Sequence, residues 1–377
     1  MFVEEAVVVI VGAGPSGLAT AACLTQHSIP YVILEREDCC ASLWKKRAYD
    51  RLGLHLAKEF CSLPLKSVPP DAPTFMPKDY FIRYVDEYVS QFNINPHYHR
   101  SVELAFFDDI GKRWRIEAKN TLDGNKEVYS AEFLVVATGE NGEGYIPSLP
   151  GMESFSGEII HSNQYKSGSR YKSKKALVVG CGNSGMEIAY DLSDHGAFTS
   201  IVIRSPFHVL TKELVYRGMS LLKYYLPVYM VDVIITTLAK LEYGDLSKYG
   251  IHRPVQGPFA NKIATGKSPV IDVGTIKKIQ NGEIEVVSEI SKIDNNKVLF
   301  KNDTEKQFDV IVFSTGYRAA NKWLKDYKYG TSESSFPKHW KEEKGLYYAG
   351  FSRNGLFGVS RDAQAITKDI KMRVISC

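Results

Sequence analysis

Cysteine is scarce in this sequence. Six cysteines among 377 residues (Cys23, Cys39, Cys40, Cys61, Cys181 and Cys377) are too few for a disulfide framework, and none shows C-x-x-C or paired zinc-ligand spacing. They read as reduced thiols of a cytoplasmic protein. Charge of one sign is also lacking: Lys plus Arg exceed Asp plus Glu by only 47 to 43. A net charge of +4 makes no case for a nucleic-acid surface, yet it suits anionic cofactors. Neither a basic leader nor a small-residue cleavage site precedes the first apolar run, so no export signal is expected. The longest apolar stretch, Leu221 to Leu241, contains Lys223, Pro227, Asp232 and Lys240. It is too polar to span a bilayer and reads as a buried or surface-lying helix, with peripheral membrane contact as the alternative. Low-complexity tracts are absent. With 44% hydrophobic and 24% charged residues, the whole chain should fold, and its length suggests two domains.

What is present is a pattern that occurs twice: an apolar strand, a glycine-rich turn, a helix and a second strand. The first copy runs from Ala6 to Val11 through Gly12-Ala-Gly-Pro-Ser-Gly17, with a helix over Leu18 to His27 and a strand over Tyr31 to Leu34. The second runs from Ala176 to Val179 through Gly180-Cys-Gly-Asn-Ser-Gly185, with a helix over Met186 to His195 and a strand over Ser200 to Ile203. Continuous apolar strands without alternation are what a parallel sheet buried on both faces requires. The expected fold class is therefore α/β, with two Rossmann-like dinucleotide-binding domains. Residues 1–165 and 308–377 are expected to form one domain, and 166–307 the other, inserted into it. Further strands are expected at 113–119, 128–137, 284–287, 297–301 and 310–314, and a final helix at 363–373.

Each glycine has its own task. Gly12 permits the tight turn, Gly14 lets a pyrophosphate approach the backbone, and Gly17 lets the helix lie on the strand, with Pro15 and Ser16 between them also expected to bind the cofactor. Glu35, followed by Arg36, ends the second strand, where a carboxylate accepts hydrogen bonds from the ribose of an ADP moiety. The second unit assigns the same tasks to Gly180, Gly182 and Gly185 around Asn183 and Ser184, but its second strand ends in Arg204 and Ser205. A guanidinium there can bind the 2′-phosphate of NADP, which a carboxylate would repel. FAD therefore fits the first unit and NADPH the second; the alternative for Arg204 is a solvent-facing side chain without a ligand. Two such sites in one chain imply electron transfer between cofactors. The adjacent Cys39 and Cys40 do not supply the redox-active pair of a disulfide reductase, which leaves oxygen as the simpler acceptor.

Between the two units, Phe155-Ser-Gly157-Glu-Ile-Ile-His161-Ser-Asn-Gln-Tyr165 resembles the F-x-G-x-x-x-H-x-x-x-[YF] signature of class B flavin-dependent monooxygenases. Ala137-Thr138-Gly139 and Ser314-Thr315-Gly316-Tyr317 each follow a strand, as in that superfamily. Within it, Ser42-Leu43-Trp44, Tyr49-Asp-Arg-Leu-Gly-Leu-His-Leu56, Phe60-Cys-Ser-Leu-Pro64, Ala137-Thr-Gly-Glu-Asn141, Gly180-Cys-Gly-Asn-Ser-Gly-Met-Glu187 and Gly345-Leu-Tyr-Tyr-Ala-Gly-Phe351 resemble the plant YUCCA flavin monooxygenases. Two positions depart from the usual pattern, Gly142 and Ser314, where alanine is common.

The resemblance implies oxidative decarboxylation of indole-3-pyruvate to the auxin indole-3-acetate with NADPH and O2, through a C4a-(hydro)peroxyflavin. It implies a hydrogen-bonding role near the reacting centre for Asn141, and a place beside the flavin for Leu43, Trp44 and Lys45. Ala137, Thr138, Gly139, Thr315 and Gly316 are implied as cofactor-binding, and His161 as an organiser of the interdomain linker rather than a catalyst. A small-molecule 2-oxo acid and O2 are the expected partners, with no metal. Oxygenation of a soft sulfur or nitrogen, and a low-turnover nucleotide-binding redox sensor, are the alternative readings.

Overall fold

Val8, Val9 and Ile10 have no exposed surface, and each such side chain contributes about 1.5–3 kcal/mol through its burial. They lie in the strand β1 (Val3–Val11), which is followed by the helix α1 (Pro15–Gln26) and the strand β2 (Tyr31–Leu34). The computed structural model describes residues 3–318, 320–325, 337 and 339–375. It divides into two compact units.

In the first unit (Met1–Arg47, Lys58–Glu143 and Tyr317–Cys377), β1 pairs in parallel with β2 and with the strand Lys126–Val136. That long strand is shared. Its first half pairs antiparallel with Arg113–Asn120, which pairs with Arg100–Asp108, while Leu134 to Val136 pair in parallel with Leu346–Tyr348. Trp114 is fully buried in the resulting core and donates its indole N–H to the Lys344 carbonyl at 2.8 Å. The closing helix, Gly355–Ile375, starts earlier than expected and packs along α1.

The second unit (Ala48–Ala57 and Gly144–Gly316) repeats the pattern with the strand β3 (Lys175–Val179), the helix α2 (Asn183–Asp194) and the strand β4 (Phe198–Val202). Its five-stranded sheet is entirely parallel, in the order Ile284–Val287, β4, β3, Val310–Phe313, Glu158–His161, beside a smaller antiparallel sheet of Ile290–Asp294, Lys297–Phe300 and Glu305–Gln307. Side chains alternate between two cores. Ala176, Val178, Ile201 and Val312 face one, and Leu177, Val202, Ile311 and Phe313 face the other, which is why these strands read as unbroken apolar runs.

The unit boundaries differ from the expected 1–165 and 308–377 around 166–307. Both Glu158–His161 and Val310–Phe313 are strands of the second sheet. The segment Ala48–Ala57 also joins the second unit, where the Tyr49 hydroxyl donates to Glu187 at 2.8 Å.

The apolar stretch 221–241 is not one helix. It splits into the end of α3 (Lys212–Lys223) and most of α4 (Val228–Tyr243). Pro227 has no N–H to continue a helix from upstream and instead opens the next one. Asp232 does not face solvent: it is buried and accepts from the N–H groups of Phe259 (2.8 Å) and Ala260 (3.0 Å) at the start of the helix Pro258–Thr265. Those helix-end donors satisfy the carboxylate where water cannot reach it. Val231, Ile235, Ala239 and Tyr243 form the inward face of α4, while Tyr229, Met230, Val233, Ile234 and Leu241 are exposed. Among the described residues, no helix is long and apolar enough to cross a membrane.

Candidate cofactor and active site

The two glycine turns are built alike, and in each the three glycines divide into two kinds. Gly12 has φ +109°, and a Cβ on it would lie 2.6 Å from the Ala137 carbonyl oxygen. On Gly17 a Cβ would lie 1.9 Å from the Gly12 oxygen. Both must be glycine for the turn to close. Gly14 is different: its backbone is extended, at φ −74°, and a Cβ would meet nothing within 4 Å. The fold leaves open the space in front of the first turn of α1, where unpaired N–H groups favour an anion. Gly180, Gly185 and Gly182 repeat this division: φ +108° with Ser314 oxygen at 2.5 Å, Gly180 oxygen at 1.9 Å, and open space.

A cavity of about 370 Å³ lies at the first turn, within the range of about 300–1,000 Å³ usual for small-molecule sites. It gathers Gly12, Gly14, Pro15 and Ser16 of the turn, Glu35 and Arg36 after β2, and Leu43 and Trp44 from a widened helical turn. Ala137, Thr138, Gly139 and Asn141 line it from the loop after Lys126–Val136. Gly17 lies behind the turn against β1, as a residue of packing.

Glu35 is buried at the turn, accepting from Ala13 N–H at 2.7 Å and Glu37 N–H at 3.0 Å. Each oxygen retains acceptor capacity for a ribose hydroxyl. The Thr138 hydroxyl is buried and has no hydrogen-bond partner, as expected of a group awaiting a ligand. The open space at Gly14, the held carboxylate and the orphaned hydroxyl fit an ADP-containing cofactor. Asn141 is exposed on the cavity's rim. Trp44 also packs on Phe81, with ring centroids 4.6 Å apart, and Lys45 is paired with Asp86 at 2.6 Å. Gly142 has a physical reason to replace alanine: a Cβ would stand 2.8 Å from the Ala320 nitrogen.

The lining residues not legible in the sequence include Arg47, Arg100, Lys322 and Trp323. Arg100 lies on a strand edge, fixed by a two-pronged pair with Glu127 at 2.9 and 3.0 Å. Arg47 pairs with Glu37 at 2.8 Å. No motif marks any of the four: Arg47 ends the widened helical turn, Arg100 starts a strand, and Lys322 and Trp323 lie in a turn, so only the fold brings them to one cavity.

At the second turn, Arg204 follows β4 with its side chain 71% exposed. Its pair with Glu289 is long, 3.7 Å, and Glu289 is held more closely by Lys301 at 2.8 Å, so the guanidinium remains available. It lies close to the turn. Burial pushes the Cys181 thiol up, and the Arg204 charge partly counters that. Ser205 is exposed beside it, and Ser184 is half-buried in the first turn of α2. Thr315 donates its hydroxyl to the Tyr145 carbonyl, and the Gly316 carbonyl accepts from Tyr145 N–H at 3.0 Å. These two therefore hold the second unit's own loops together. The Ser314 hydroxyl is buried without a partner.

The signature residues are likewise structural. His161 is buried, with one ring nitrogen accepting from Asn163 N–H at 3.2 Å and the other 3.0 Å from the Gly316 carbonyl. Tyr165 donates to Asp191 at 2.6 Å. The thiols offer no competing chemistry. None of the five described cysteines forms a disulfide, and burial pushes Cys23 and Cys39 up to about 11 and Cys61 to about 12, so neutral pH leaves these three protonated. Cys377 lies outside the described residues. No group of three or more metal-ligating side chains occurs among the described residues.

Residues 5–338 match the family model described as flavin-binding monooxygenase-like. A protein of Arabidopsis thaliana named "Probable indole-3-pyruvate monooxygenase YUCCA10" is 57% identical over 374 residues, covering 97% of each chain. A protein of Oryza sativa subsp. japonica, "Indole-3-pyruvate monooxygenase YUCCA1", is 45% identical over 96% of this chain and 90% of its own. Among solved structures, a flavin-containing monooxygenase from Stenotrophomonas maltophilia superposes with a TM-score of 0.74 at 20% identity, covering 98% of this chain and 99% of that one.

Proposed function

The chain belongs to the flavin-binding monooxygenase-like family, and from that premise we propose that it converts indole-3-pyruvate to indole-3-acetate. The balanced reaction is indole-3-pyruvate + O2 + NADPH + H+ → indole-3-acetate + CO2 + NADP+ + H2O. The observation that carries this reading is the 57% identity, over 97% of both chains, to a protein named for that substrate. When bound, FAD supplies the redox chemistry, taking two electrons from NADPH and passing them to oxygen.

The residues supply the rest. Glu35 accepts from the flavin nucleotide's ribose, and the first turn of α1 faces its pyrophosphate across Gly14. Leu43, Trp44 and Trp323 form an apolar wall that limits water. Asn141 offers an amide donor at the rim, a group that can hydrogen-bond without releasing a proton. In the second unit, Gly182 admits the pyrophosphate of NADPH and Arg204 takes its 2′-phosphate.

Product identification tests the substrate. Purified protein incubated aerobically with NADPH and indole-3-pyruvate should form indole-3-acetate and CO2 in proportion to NADPH consumed. If NADPH turns over only with a thioether or an amine, sulfur or nitrogen oxygenation replaces decarboxylation. A reduced flavin that barely reoxidises in air would instead favour the redox-sensor reading.

Five described cysteines without a disulfide support a reducing, cytoplasmic setting. The exposed stripe Tyr229, Met230, Val233, Ile234 and Leu241, with Lys223 and Lys240 beside it, supports peripheral contact with an anionic bilayer. Val233→Asp combined with Ile234→Asp should reduce co-sedimentation with phosphatidylserine vesicles severalfold; equal sedimentation of the two proteins would remove that contact.

A further inference from the structure

Asn183 opens α2 at the second glycine turn, and its side-chain orientation is set by a backbone donor. Its Oδ1 accepts the Ile271 N–H at 2.9 Å. The other end of the amide, Nδ2, can only donate, and it lies 3.2 Å from His55 Nδ1. His55 Nδ1 must therefore be the bare nitrogen. A neutral imidazole keeps one proton, so that proton is on Nε2, 2.5 Å from Glu187 Oε1. Glu187 is only 2% exposed, and its second oxygen accepts the Tyr49 hydroxyl at 2.8 Å. These contacts form one directed chain in which every donor and acceptor sense is determined.

We infer that His55 is a positioning residue of the nicotinamide-nucleotide site: as the Nε2–H tautomer held by Glu187, it fixes Asn183 and so the shape of the turn that receives the pyrophosphate. This rests on the reading that the second unit binds NADPH. The physical reason is preorganisation. The first N–H groups of α2 have no partner within the helix and are aimed by the residues that open it. Asn183 is the residue there whose side chain is tied from two directions, to Ile271 and to His55. A turn held in its binding shape before the ligand arrives loses less entropy on binding.

The test uses the full-length flavoprotein. Nitrogen-15 NMR of the wild type, with the His55 signals assigned by their loss in a His55→Asn variant, should show the Nε2–H tautomer. His55→Ala should raise the KM for NADPH about tenfold while kcat at saturating NADPH changes by less than about twofold, since the lost interaction orders the ground-state site. His55→Asn, whose Oδ1 can accept in place of Nδ1, should keep KM within about threefold of wild type.

A wild-type Nδ1–H tautomer, an unchanged KM in His55→Ala, or an Asn variant as impaired as the Ala variant would each overturn the inference. Gly182→Val separates this failure from that of the underlying reading. If it abolishes NADPH binding while His55→Ala is unaffected, only the positioning role falls. If Gly182→Val binds NADPH normally, the second unit is not the NADPH site. Should His55→Ala not fold, the wild-type tautomer alone decides.

Discussion

Gly14→Val is expected to give a folded protein without flavin. Its Cβ would meet nothing within 4 Å, and its backbone at φ −74° is open to any L-residue. The empty space therefore serves no packing purpose, and a valine side chain would fill the approach of a pyrophosphate to the first turn of α1. The proper comparison is flavin-stripped wild type, because bound ligand itself stabilises, by about 2.7 kcal/mol at a hundredfold excess over Kd. The variant should melt with the stripped protein and show no visible flavin absorbance.

Gly17→Val provides the contrast. Its Cβ would collide with the Gly12 backbone oxygen at 1.9 Å, so it should fail to accumulate as soluble protein. A yellow Gly14→Val protein with normal FAD content would show that the first turn is not the flavin site.

Arg204→Ala is expected to weaken NADPH selectively. A hydrogen-bonded charge pair is worth about 1.5–3 kcal/mol, which corresponds to roughly 10- to 100-fold in affinity. The loss should fall on NADPH and leave NADH nearly unchanged, because NADH lacks the 2′-phosphate. Little folding stability should be lost, since the side chain is 71% exposed and its contact with Glu289, at 3.7 Å, is a long surface pair. The measurement is the ratio of kcat/KM for NADPH over NADH. An unchanged ratio would remove Arg204 from the phosphate site.

Much of the site was readable because it is local. The strand, glycine turn, helix and second strand are contiguous in each unit, so Gly12 to Glu35 and Gly180 to Arg204 stand in the structure as their spacing requires. Gly142 shows a limit of that kind of reading. It looked like a departure from a motif, and only the position of Ala320 explains why alanine would not fit. The stretch 221–241 shows another: hydropathy described its content, but Pro227 and the burial of Asp232 under a neighbouring helix decided its shape. The unit boundaries differ for a related reason: Glu158–His161 and Val310–Phe313 flank the expected insert 166–307, and it is strand pairing, which the sequence does not state, that places them in the second sheet.

By itself, the order of residues determined two βαβ units, which of their glycines the turns require, and the acid and the guanidinium that end them. Those properties depend on backbone conformation and side-chain chemistry within about 30 residues, the span of such a unit. Tertiary structure alone decided that Arg47, Arg100, Lys322 and Trp323 share the first cavity, and that His55 meets Glu187 across 132 positions of sequence. Contacts of that range depend on how strands order within a sheet and which way each side chain points, and no periodicity along the chain encodes either.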